Sequence, residues 1–102
     1  MRIIQNQKTE IPLDGLEGLY HEFLESREAE LSDLKKAIAE NDFTSIIGLG
    51  HKWKGFSAPY GFGQLALLAT ELEEAARGQS IEQCNLLTQE IAEYLSFKKN
   101  PT

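Results

Sequence analysis

The sequence predicts an all-α fold: an antiparallel up-down four-helix bundle with an extended N-terminal lead-in. Three observations predict it. Apolar residues recur at spacings of three and four in four successive stretches, as one face of an α-helix requires. Turn and capping residues separate those stretches at Asn41-Asp42, Tyr60 to Gly63 and Gly78 to Ser80. No stretch alternates apolar and polar residues in the manner of a half-buried strand. The connections are short, so consecutive helices must run antiparallel.

Residues 1–12 carry no period, and Pro12 closes them as the lead-in. From Leu13 the pattern turns helical, with Leu16, Tyr20, Phe23, Leu24, Leu31, Leu34 and Ile38 on one stripe and an end near Asn41. Arg27 interrupts this stripe, either as a snorkelling side chain or as half of a buried ion pair. Asp42 or Asn41 caps a second helix, whose apolar side gathers Phe43, Ile46, Leu49, Trp53 and Phe56. Pro59 ends or kinks that helix, because it disfavours helical geometry at Ala58 and lacks a backbone donor. A turn at Tyr60-Gly61-Phe62-Gly63 leads into a third helix with Leu65, Leu68, Leu72 and Ala75 or Ala76 inside and Gly78 as its stop. Ser80 and Gln83 form a capping-box signature for a fourth, striped by Ile81, Cys84, Leu87, Ile91 and Tyr94 or Leu95. The expected division is a lead-in over 1–12, a bundle over 13–98 and a tail over 99–102.

Composition narrows the function. At 102 residues the chain suffices for one modest core. Its formal net charge is −6 and its few basic residues are scattered, which argues against a nucleic-acid backbone as partner. The terminal pair Lys98-Lys99 reads as a solvated helix end. No apolar run approaches the roughly 20 residues of a membrane span, and Met1-Arg2-Ile3-Ile4-Gln5 does not read as a signal peptide. A cytoplasmic monomer is the expectation. Cys84 is the single cysteine and falls on an apolar stripe, so it reads as a buried structural thiol.

Two nucleotide-binding motifs fail on their spacing. Gly48-Leu49-Gly50 could open a dinucleotide fingerprint, but Trp53 stands where the third glycine belongs. Gly50 and Gly55 have the glycine spacing of a P-loop, yet Phe56-Ser57 replaces the Lys-Ser/Thr that holds phosphate and magnesium. No metal site is expected either: His21 and His51 are far apart in sequence, and Glu71, Glu73 and Glu74 read as a solvated helix face.

His51 is the residue that stands out. At about 100° per residue it points away from Ile46, Leu49 and Trp53, on a face shared with Thr44, Gly48, Lys54, Gly55 and Ala58. Each helical glycine costs roughly 0.5–1 kcal/mol relative to alanine, so the three around His51 read as stability given up for access. A surface histidine taken alone is more often idle than functional. Here the context favours chemistry: neutral imidazole is a nucleophile at physiological pH, and Lys54, one turn on, with Lys52 beside it could offset the charge of a phosphoryl group. The flat surface at Gly48 and Gly55 would admit an in-line approach by a partner. Ile47, about one turn before His51 on the same side, reads as part of an apolar docking patch.

With these residues the chain resembles the histidine-containing phosphotransfer (HPt) family. The resemblance rests on His51, Lys54, Gly55, Gly61, Leu65, Leu68, Leu72 and Glu73 without a gap, together with Phe23-Leu24, Arg27 and Tyr60-Gly61-Phe62, which look like one bacterial, free-standing branch. It spans roughly residues 13–97. It implies a four-helix bundle with the phosphoacceptor, His51 through Nε2, on the second helix. Lys54 would support the phosphate, Gly55 would leave room for the partner, and Arg77 falls where some members carry a basic residue near the site. The implied partners are the receiver domain of a response regulator, a hybrid histidine kinase, or both. The resemblance implies no cofactor, no ATP site and no autokinase activity, with magnesium residing in the receiver. Gly50, Trp53 and Phe56 replace a typical alanine, leucine and small residue; Phe56 is expected to face inward.

Two other readings compete. A non-catalytic helical adaptor would bind a signalling partner through the same face, and a small enzyme would need a second catalytic group near His51.

Overall fold

The computed structural model of the chain describes residues 10–100. Of the predicted lead-in over 1–12, residues 1–9 lie outside the described residues, as do residues 101–102 of the predicted tail over 99–102. A 3-10 turn, Glu17–Leu19, precedes four helices: α1 (Tyr20–Ala39), α2 (Phe43–Phe56), α3 (Gly63–Arg77) and α4 (Ile81–Lys99). Each packs on the next, and α4 closes against α1. The result is the predicted four-helix bundle. Tyr20 at the start of α1 donates its hydroxyl to the Lys98 carbonyl at the end of α4, so these two helices run antiparallel.

The boundaries follow local chemistry. Asp42 caps α2, its carboxylate accepting from Ser45 N at 3.1 Å and from the Ser45 hydroxyl at 2.6 Å. Ser80 caps α4 by accepting from Gln83 N. Helix α1 begins at Tyr20 rather than at Leu13. The chain before it turns through Gly15, whose φ of +91° no helix can contain. Pro59 lies in another 3-10 turn, Ala58–Tyr60, after α2 has ended.

The core holds the expected stripes: Phe23, Leu24, Leu34, Ile46, Trp53, Leu65, Leu68, Leu72, Cys84, Leu87, Ile91, Tyr94 and Leu95 are all buried. Burial also pushes the Cys84 thiol pKa up, in keeping with a structural role. Phe56 is a correction. Its ring is 59% exposed, because Ser57 and Phe62 fill the interior at this end of α2. The Ser57 hydroxyl meets its own need there by donating to the Trp53 carbonyl at 2.6 Å.

Lys98 is a second correction. Far from being solvated, it is 8% exposed, and its ammonium donates to the Gly61 carbonyl at 2.7 Å and to Glu10 Oε1 at 3.0 Å. The rings of Phe62, Tyr20 and Tyr94 surround it at 4.9, 5.6 and 5.7 Å. Glu10 also accepts from Tyr94 Oη at 2.7 Å and from Gln64 N at 2.8 Å. The end of the lead-in is therefore bonded into the bundle. Gly61 belongs to the same clasp: its φ is +92°, and a Cβ there would lie 2.8 Å from Pro12 Cδ. Among the described residues no helix is long and apolar enough to cross a membrane.

Candidate functional site

Helix α2 presents His51 outward, with 70% of its side chain exposed. The opposite face of α2 is anchored by Ile46 and Trp53, neither of which retains any exposure. Gly50 brings α2 close to α3: a Cβ on it would lie 3.0 Å from the Ala69 carbonyl oxygen and 3.2 Å from Glu73 Cβ and N. Of the three glycines around His51, this one serves helix packing rather than access. Gly48 and Gly55 are exposed, and a Cβ on either would meet open space.

The close approach sets Glu73 of α3 beside His51. Glu73 Oε1 lies 3.6 Å from His51 Nδ1 and 2.9 Å from Lys54 Nζ. The first distance is electrostatic contact and too long for a hydrogen bond. Oε2 accepts from Arg77 Nη2 at 2.8 Å and from Nε at 3.2 Å, a pairing one helical turn apart. The Glu73 side chain keeps only 7% of its exposure. Lys54 and then Arg77 outweigh the cost of burying the charge and hold its carboxyl at about pKa 2. The carboxylate is thus ionised throughout the neutral range, flanked by an exposed imidazole and two cations.

Chemically, this arrangement offers an accessible nitrogen nucleophile, a carboxylate in electrostatic contact with the other ring nitrogen, and two cations close enough to bind anionic oxygens. Among the described residues no group of three or more His, Cys, Asp or Glu side chains is placed to hold a metal ion.

A family model for the Hpt domain matches residues 18–96. The chain belongs to the Hpt domain family. No curated protein and no solved structure matches it. Hpt domains act as phosphocarriers in phosphorelays, where they meet receiver domains and kinases.

Within this Hpt domain the structure brings His51, Lys54, Glu73 and Arg77 together and leaves Gly55 open on the same helix. Lys52 goes elsewhere: its ammonium pairs with Glu30 on α1. Ile47 is half-buried and packs against the core, and Ala58 is half-buried in the turn after α2. Glu73 is the residue that the composition of α3 concealed. It stands in an acidic run and reads as solvated, yet it follows Leu72 on the apolar stripe and precedes Arg77 by four residues. Those two signals could have found it.

Proposed function

We propose that this Hpt domain is a phosphohistidine carrier, accepting a phosphoryl group on His51 from the aspartyl phosphate of one receiver domain and passing it to the aspartate of another. The observation that carries this reading is the exposed imidazole of His51 with an ionised carboxylate 3.6 Å behind Nδ1. That carboxylate favours the tautomer with its proton on Nδ1 and leaves the Nε2 lone pair free to attack.

In the transfer, Nε2 bonds to phosphorus as the acyl phosphate P–O bond breaks, and its electron pair departs with the aspartate carboxylate. The ring gains positive charge, which the Glu73 carboxylate offsets. Lys54 and Arg77, already at the site on Glu73, supply charge and donors to the phosphoryl oxygens. The onward step reverses this sequence. The second receiver's carboxylate attacks phosphorus, the N–P bond breaks, and its electrons return to Nε2.

Magnesium belongs to the receiver in this scheme, and the carrier needs no nucleotide. Gly48 and Gly55 keep the surface flat for docking, Ile47 and Ala58 lend it apolar area, and Lys52 lies at its edge. We infer a cytoplasmic monomer, since receiver domains are met there and one bundle satisfies the apolar stripes.

The test is phosphoryl transfer from a panel of labelled receiver domains to the wild type and to His51→Gln. Acid-labile, alkali-stable label on the wild type alone is the expected result. Label on both proteins would place the acceptor elsewhere. Label on neither, with the panel active toward a known carrier, would favour an adaptor that only binds.

A further inference from the structure

The two residues after His51 are tied to a different helix from the one that carries Glu73. Trp53 Nε1 donates to Glu30 Oε1 on α1 at 2.9 Å, and the Lys52 ammonium pairs with Glu30 Oε2. Arg27, one turn earlier on α1, lies 2.7 Å from Oε1 through its Nε and rests its guanidinium 4.6 Å above the Phe23 ring. Glu30 therefore collects one indole and two cations at the α1–α2 seam. Burial tends to raise its pKa, but the bonds from Lys52 and Trp53 and the charge of Arg27 outweigh that, and the net shift is downward.

The next residue, Lys54, is held on the other side by Glu73 of α3. Three consecutive residues of α2 are thus fastened to carboxylates on two flanking helices, and His51 directly precedes them. Such a pair of ties opposes rotation of α2 about its own axis. A side chain reaches roughly 5–6 Å from a helix axis, so a turn of about 20° would carry the imidazole about 2 Å sideways. A displacement of about 1 Å can already cost on the order of a hundredfold in rate where in-line geometry is required.

We propose that Glu30 is a positioning residue for transfer at His51, fixing the rotation of α2 from the α1 side opposite the Glu73–Lys54 tie. The inference rests on the carrier reading above. It assigns Arg27 the task of holding Glu30 in place, and Lys52 a structural partner in addition to its position near the docking face.

The experiment compares wild type, Glu30→Gln and Glu30→Ala in transfer from a phosphorylated receiver, with kcat and KM determined separately. Residual dipolar couplings of the α2 amides report its orientation in the same proteins. Glu30→Ala should lower kcat about tenfold or more with KM within about twofold, and should change the α2 couplings relative to those of α3. Glu30→Gln keeps an acceptor for the Trp53 indole and should fall between the two. If Glu30→Ala loses its helical circular dichroism, Glu30→Gln decides by the same criteria. Wild-type kcat in the folded variant, or a change in KM alone, would overturn the positioning role while leaving the carrier reading intact. No label on the wild type would instead overturn the carrier reading, and the positioning role with it.

Discussion

Glu73 Oε1 sits 3.6 Å from His51 Nδ1 while its partner oxygen is held by Arg77, so one carboxylate links the exposed imidazole to the neighbouring cations. Glu73→Gln keeps the shape and removes the charge. Transfer to His51 should slow by about tenfold, the scale of roughly 1.4 kcal/mol of lost transition-state stabilisation. Rapid-quench measurement of phosphohistidine formation checks this, with unchanged circular dichroism confirming the fold.

The same carboxylate makes stability depend on acid. Its folded pKa of about 2 lies below the ordinary 4.5, so the folded state binds this proton more weakly than the unfolded state. The stabilisation is therefore complete above about pH 4.5 and is lost as pH falls toward 2. The melting temperature of the wild type should drop across that window more steeply than that of Glu73→Gln. Parallel thermal melts between pH 6 and pH 2 measure the difference; superimposable curves would contradict the ion-pair assignment.

The glycines of α2 should respond in opposite directions to alanine. Gly48→Ala and Gly55→Ala add a Cβ into open space and should stabilise the protein by about 0.5–1 kcal/mol each, through helix propensity. Gly50→Ala would drive its Cβ against the Ala69 carbonyl and the Glu73 backbone, and should destabilise by about 1–3 kcal/mol. Urea unfolding gives all three values. On the proposed function, Gly55→Ala should also slow transfer despite its added stability, because its methyl group would stand on the face proposed for receiver docking.

Glu10 and Lys98 form a clasp between the end of the lead-in and the end of α4. Glu10→Ala leaves a buried ammonium with the carbonyls of Gly61 and residue 10 and the aromatic rings but without its counter-charge, and should cost about 3 kcal/mol. For a domain of this size that is a fall of roughly 10 °C or more in melting temperature. A double-mutant cycle with Lys98→Met isolates the pair, and an interaction energy near zero would refute it. Phosphoryl transfer at a temperature where the variant stays folded should be unchanged.

Much of the molecule was legible because its signals are local. The Asp42 and Ser80 caps, the Pro59 break and the apolar stripes act over one or two helical turns, where chain geometry alone decides which residues meet. The shared exposure of His51, Lys54 and Gly55 on α2 was legible for the same reason. Phe56 misled because a helical wheel continues a stripe past the point where other residues fill the interior. Lys98 misled because a lysine pair near a chain end looks solvated unless its counter-charge is known.

By itself, then, the sequence determined the four helices, their order and the helix that presents His51, since backbone hydrogen bonding and apolar periodicity depend on near neighbours. Only the tertiary structure decided that Glu73 stands behind His51, that Glu30 claims Lys52 and Trp53, and that Glu10 meets Lys98. These partners lie on different helices or beyond the bundle's first turn. Whether an acidic side chain is solvated or paired depends on how closely and at what rotation two helices pack. At Gly50 that approach is permitted by the absence of a single Cβ, and the electrostatics of the site follow from it.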